Sequence, residues 1–179
     1  HMNRHMLATI VRLSESNEDA GHKVAMQVAA MKPIALDEAS VPQSVKDEEL
    51  KVAIEKTKEE QVEKAVVNAI KKAGVNPNLV DSEDHIESNI KKGWLTPEDA
   101  EKAREIRAKV GAEKAANLPE QMVQNIAKGR LNKFFKESCL VDQEFQFGDG
   151  DKLNVAQWLQ AQSKTLAVCD YRRYSLSAE

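Results

Sequence analysis

Between Ser40 and Asn117 the chain is dominated by Lys, Glu and Ala, and its apolar residues form a stripe too narrow for a globular core. Leu50, Ile54, Val62, Ala65, Val66, Ala69, Ile70 and Ala73 recur at helical spacing, with Lys and Glu on the remaining face. Such a stripe fits the seam between two helices that are exposed on their other sides. Gly74 and Pro77 end the first helix. Thr96-Pro97-Glu98-Asp99 opens the return: a capping hydroxyl, a proline where its missing N–H costs nothing, then two acids facing the positive end of the helix dipole. Ala100, Ala103, Ile106 and Val110 are small or narrow, so the returning helix can lie close against the outgoing one. Residues 41–117 are therefore expected to form a helical (coiled-coil) hairpin inserted into a core subdomain built from residues 1–40 and 118–179.

Finer signals mark the insertion. Ser40-Val41-Pro42-Gln43 resembles a capping-box start, and Asp47, Glu48 and Glu49 suit the first turns of a helix. A short helix is expected from Asp81, as its cap, to Lys92, with Gly93 terminating it. Trp94, Leu95, Ile86 and Ile90 would cover the hairpin end. Trp94 admits two readings there, an aromatic anchor for a partner or a plug for the hairpin.

The flanking segments differ in kind. Met6–Leu13 and Thr165–Tyr174 carry β-branched residues with partial alternation and read as two strands of one sheet. A third strand is expected around Phe145-Gln146-Phe147. Glu18–Met31 places Val24, Ala25, Val28, Ala29 and Met31 at three- and four-residue spacing and ends before Pro33. From Asn117-Leu118-Pro119-Glu120 a further helix turns Met122, Val123, Ile126, Leu131, Phe134 and Phe135 inward. Gly148-Asp149-Gly150 is a turn before a last helix near Leu153–Gln162. The expected fold class is α+β: a small three-stranded antiparallel sheet packed with helices, plus the long inserted hairpin.

Composition narrows the function. Of 179 residues, 31% are charged and only 4% aromatic, too polar for one compact globule. The net charge of -3 opposes binding through phosphate neutralisation, so a direct nucleic-acid partner is not expected. No apolar run approaches the roughly 20 residues that span a bilayer, which implies no membrane partner and a cytoplasmic protein. The two cysteines, Cys139 and Cys169, belong to no CxxC pair, and the four histidines are scattered, so neither a metal nor a cofactor is expected. No Ser or Cys nucleophile has an acid–base setting around it, and Gly148-x-Gly150 is too short for a phosphate cradle. Catalytic residues are not assigned. A third possibility, an enzyme with an unrecognised site, would need a cleft holding Cys139 or His22 beside a carboxylate.

Two blocks carry a family resemblance. Ala25-Met26-Gln27-Val28-Ala29-Ala30-Met31-Lys32-Pro33 is similar to an Ala-Met-His-Ile-Ala-Ala-Ser-Lys-Pro segment of the elongation factor Ts family, and the stretch from Gly129-Arg130-Leu131 to Gln143-x-Phe145 resembles its Gly-Arg-Leu to Gln-x-Phe block. The resemblance spans nearly the whole chain and implies the second half of such a factor: the carboxyl-terminal core subdomain with its coiled-coil insertion. The family's amino-terminal domain and its Thr-Asp-Phe-Val exchange motif are not found here.

By that resemblance the chain would bind elongation factor Tu and support guanine-nucleotide exchange, as an exchange factor and not an enzyme. Its contacts would fall on His5, Gln27, Gln146 and Phe147. Gln27 departs from the family's usual His, and Gln146 replaces a commonly apolar residue. Gln27 reads equally as a solvent-facing helix residue, and Phe147 as core. The alternative function is a coiled-coil structural or scaffolding module that binds another protein; the oligomeric state is not set by the sequence.

Overall fold

The computed structural model describes residues 1–150 and 152–177. Its chain divides into two compact units, His1–Glu49 with Gly129–Glu179, and Leu50–Lys128.

The first unit is built on an antiparallel sheet in the order β1-β2-β3, formed by Met2–Asn3, Leu7–Leu13 and Val168–Ser175. Leu7 pairs with Ser175 and Leu13 with Val168, so the two strands read from opposite ends of the sequence are direct neighbours. Met6 N donates to Asn3 O at 3.0 Å across a tight turn in which Arg4 and His5 both have positive φ, 49° and 58°. Positive φ at both central residues is the geometry whose twist suits a two-stranded ribbon.

The third strand is not where the sequence suggested it. Phe145-Gln146-Phe147 does alternate inward and outward, but among the described residues only the bridge Glu144↔Asn154 forms beside it. Alternation gave the segment a strand's side-chain pattern without a neighbouring ladder to complete it.

Helix α1, Glu18–Met31, lies on this sheet with Ala20, Val24, Ala25, Gln27 and Val28 buried. Asn17 caps its start by accepting from Ala20 N, and Lys32 ends it in the left-handed conformation, just before Pro33. Thr9 Oγ1 donates to Ala25 O at 2.9 Å, so even the buried hydroxyl of β2 is satisfied by the helix above it. Helix α6, Val155–Gln162, adds Trp158 and Leu159 to a core that also holds Leu140, Phe145 and Leu166. A smaller cluster joins Ala35, Val41, Phe135 and Cys139.

Helix α2 runs Gln43–Lys72 and α5 runs Glu120–Ser138. Ser40 does not cap α2: it closes a short turn, Glu38–Ser40, and donates its hydroxyl to Asp37 at 2.6 Å.

The second unit packs α2 against α4, Pro97–Ala116, with α3, Glu83–Lys91, beside them. Glu63 meets Arg107 and the carbonyl of Ala73 meets Lys102, so α2 and α4 run antiparallel. Thr96 caps α4 as its sequence demands, accepting from Asp99 N. The cap of α3 is Ser82, one residue beyond the expected Asp81, whose carboxylate instead bonds His85. Ile86 and Leu95 are buried, while Trp94 is 65% exposed with Lys92 Nζ 4.8 Å from its ring, so it does not plug the end. No helix among the described residues is long and apolar enough to cross a membrane.

Candidate functional site

The site grows from the end of α5. After Ser138 the chain enters a short 3-10 turn, Leu140–Asp142, whose Leu140 and Val141 amides donate to Ala35 O and Leu36 O at 3.0 and 3.1 Å. It then passes under α1 through Gln143, Glu144, Phe145, Gln146 and Phe147. Phe145 N donates to Leu153 O at 2.9 Å, and Val155 N to Gln143 O at 3.0 Å, so the segment is tied on one side to the start of α6. Phe145 is buried against Trp158, with ring centroids 4.7 Å apart. Gly148 closes the loop directly over that indole: a Cβ there would stand 3.0 Å from Trp158 Cδ1 and 3.2 Å from Phe145 Cδ1.

On its other side the segment is held by a side chain. Gln27, on the inner face of α1, is 0% exposed, which overturns the solvent-facing reading. Its Nε2 donates to Glu144 O at 3.1 Å and to Gln143 Oε1 at 3.3 Å, and its Oε1 accepts from Gln146 N at 3.0 Å. Gln143, 1% exposed, donates in turn to Glu137 O at 3.0 Å. The structure thus brings Gln27 of α1 against the loop that carries Gln146 and Phe147: Gln146 is exposed, and Phe147 is half-buried against the main core.

His5 belongs to a different spot, the β1–β2 turn, beside an open apolar depression of about 210 Å³ lined by Met2, Met6, Tyr174 and Leu176. Gln143 was missed in the sequence. A glutamine two residues before an aromatic carries no local sign of burial, and only its place in the Gln-x-Phe block drew notice.

The electrostatics around Cys139 disfavour nucleophilic use. Burial, then the neighbouring Asp142, Asp37 and Glu38 carboxylates, push its thiol up to about 11, away from the thiolate. Asp142 is itself raised, chiefly by burial and then by Glu38 and Asp37. Among the described residues no three His, Cys, Asp or Glu side chains gather as metal ligands.

With the fold in place, the two family-like blocks meet. Ala25–Pro33 is the latter half of α1 with its end, and Gly129–Phe145 runs from α5 into the segment that α1 holds. Comparison with known families gives the class, a translation elongation factor family. The sequence pattern of the family described as Elongation factor TS matches residues 1–178, and the chain belongs to the elongation factor Ts family.

Its similarity to individual members is close. It is 55% identical over 179 residues to Elongation factor Ts of Parabacteroides distasonis, covering 100% of this chain and 54% of that protein. To Elongation factor Ts of Bacteroides thetaiotaomicron it is 57% identical over 180 residues, again 100% and 54%. To that of Porphyromonas gingivalis it is 28% identical over 174 residues, covering 97% of this chain and 42% of the other. The chain thus spans about half the length of the first two of these curated relatives.

Proposed function

We propose that this chain is the partner-anchoring half of an elongation factor Ts: it binds elongation factor Tu in the cytoplasm and supports GDP/GTP exchange without making or breaking a covalent bond. Residues 1–40 and 118–179 form the docking body in this reading, and 41–117 the inserted helical arm. The observation that supports it best is the loop at Gln146 and Phe147. An exposed polar side chain and a half-buried aromatic sit side by side on a backbone fixed from below, a form suited to a protein contact. His5 supplies a further exposed contact from the β1–β2 turn.

Exchange requires more than a grip. A factor speeds nucleotide release only if it binds the nucleotide-free partner better than the nucleotide-bound one. In the family the Asp-Phe of the Thr-Asp-Phe-Val motif is understood to press on the partner's magnesium site, and that motif does not occur in these 179 residues. The chain therefore binds elongation factor Tu weakly and speeds its release of GDP poorly. Stopped-flow release of fluorescently labelled GDP from elongation factor Tu tests this: a rate equal to that of a full-length factor would refute it.

One observation favours a second reading. Trp94, 65% exposed, gives the helical unit an aromatic of its own to offer, as a scaffolding module would need. That reading expects self-association, or capture of a different protein, without elongation factor Tu. Light scattering of the isolated chain together with a pull-down from bacterial lysate separates the two.

A further inference from the structure

We propose that Gln27 and Gln143 form a buried amide clamp that holds the Gln143–Phe147 segment in its docking conformation, Gln27 acting as a positioning residue with no surface to offer the partner. The inference rests on the reading of Gln146 and Phe147 as a contact for elongation factor Tu.

The clamp follows from what each group can do. Gln146 N–H can only donate and Glu144 O can only accept, so together they fix the orientation of the Gln27 amide: oxygen toward Gln146, nitrogen toward Glu144. The second hydrogen on that nitrogen then points to Gln143 Oε1, which fixes the Gln143 amide as well, and its nitrogen faces Glu137 O. Both donors and the acceptor of Gln27 are thereby used. The relay joins three elements, α1, the end of α5 and the loop, through side chains 0% and 1% exposed.

A shorter or apolar residue at 27 leaves Gln146 N without its partner and Glu144 O with only the exposed Gln146 Nε2, 3.2 Å away, so the backbone of the loop loses its buried hold. The imidazole usual at this position in the family has, when neutral, one donor and one acceptor. It could serve Gln146 and only one of the two acceptors. The Gln27–Gln143 relay therefore needs an amide at 27, and the two positions depend on each other.

The test combines amide exchange with binding. In the isolated chain the Gln146 amide should exchange slowly, and Gln27→Leu should speed it at least about tenfold while the paired amides of β2 and β3 keep their protection. Gln27→Glu preserves the acceptor for Gln146 and should fall between the two.

Titration against elongation factor Tu should show Gln27→Leu weakening binding about tenfold in the unsubstituted background and less than about twofold when combined with Gln146→Ala and Phe147→Ala, because its effect passes through those residues. A purely structural role would instead give losses that add. Additive losses, or a Gln146 amide that exchanges as fast in the unsubstituted chain as in Gln27→Leu, overturn the clamp. Should the unsubstituted chain fail to bind elongation factor Tu, the docking reading falls and with it the clamp's part in binding, while slow Gln146 exchange would still report the clamp itself.

Discussion

The two units of this chain are held by different means. In the first, large side chains vanish from solvent, Leu140, Leu159 and Leu166 among them, and polar bonds join residues far apart in sequence, such as Tyr171 Oη to Pro33 O at 2.7 Å and Gln27 to Gln143. In the second, the seam of α2 and α4 is lined by Val66 and Ile70 on one side and by the much smaller Ala100 and Ala103 on the other. Its buried hydroxyl, Thr57, bonds only one turn back to Ala53 O. One unit is defined by distant groups that fit each other, the other by a close approach that small residues permit. The difference should appear as opposite responses to volume.

Leu159→Ala empties a fully buried site in the first unit and should cost about 2–5 kcal/mol in urea unfolding. In the second unit the damaging change is the reverse: Ala100→Leu, at a position 0% exposed, should cost about 1–3 kcal/mol by forcing the seam apart. If Ala100→Leu were neutral, the seam would be loose and the comparison wrong.

Cys139 gives the first unit a chemical handle. Its folded-state thiol is raised to about 11, above the roughly 8.5 of an unfolded chain. The sign follows: burying the neutral thiol favours folding fully below pH of about 8.5, and that contribution is lost as pH climbs toward the folded value. The unsubstituted chain should therefore lose stability relative to Cys139→Ala between about pH 8.5 and 11, and a thiol reagent at pH 8 should label exposed Cys169 while sparing Cys139 until the chain unfolds. Equal labelling of both thiols in the native state would contradict the burial.

Much of this contrast was legible in the sequence, though unevenly. Glu18–Met31 emerges as α1 with the bounds its spacing predicts, and Thr96-Pro97 caps α4, because those signals are local. The differences lie where one group has two possible partners or where an element needs a neighbour. Ser82 and not Asp81 caps α3, since His85 takes the Asp81 carboxylate. The third strand is Met2–Asn3 because β2 offers it an edge, while Phe145–Phe147 has no such neighbour. Of the candidate site, the Gln-x-Phe block pointed to the right loop. The burial of Gln27 was not legible, because a polar residue reads as surface until its three partners are known.

Two glycines sharpen the comparison at a smaller scale. Gly148→Ala would set a methyl 3.0 Å from the Trp158 ring and should destabilise the first unit by about 1–3 kcal/mol. Gly111, inside α4, has Val66 Cγ2 at 3.8 Å and Val62 Cγ1 at 3.9 Å, ordinary contact distances. There the same substitution removes the flexibility of a helical glycine and should stabilise by about 0.5–1 kcal/mol. Thermal unfolding of both variants checks the pair, and the prediction is a difference in sign.

The smallest effect belongs to the ion pair across the α2–α4 seam. Arg107 meets Glu63 through two hydrogen bonds of 2.7 and 3.2 Å, but the side chains are 37% and 50% exposed, so water competes with each charge. Glu63→Gln keeps the shape and removes the charge, and should cost less than about 1 kcal/mol, with the loss shrinking further in high salt. The measurement is urea unfolding at low and high ionic strength. A cost rivalling that of Ala100→Leu would mean that charge holds these helices side by side. A cost within error would leave the alanines and valines as the reason they stay together, because the pair would then guide the register of two helices that already fit.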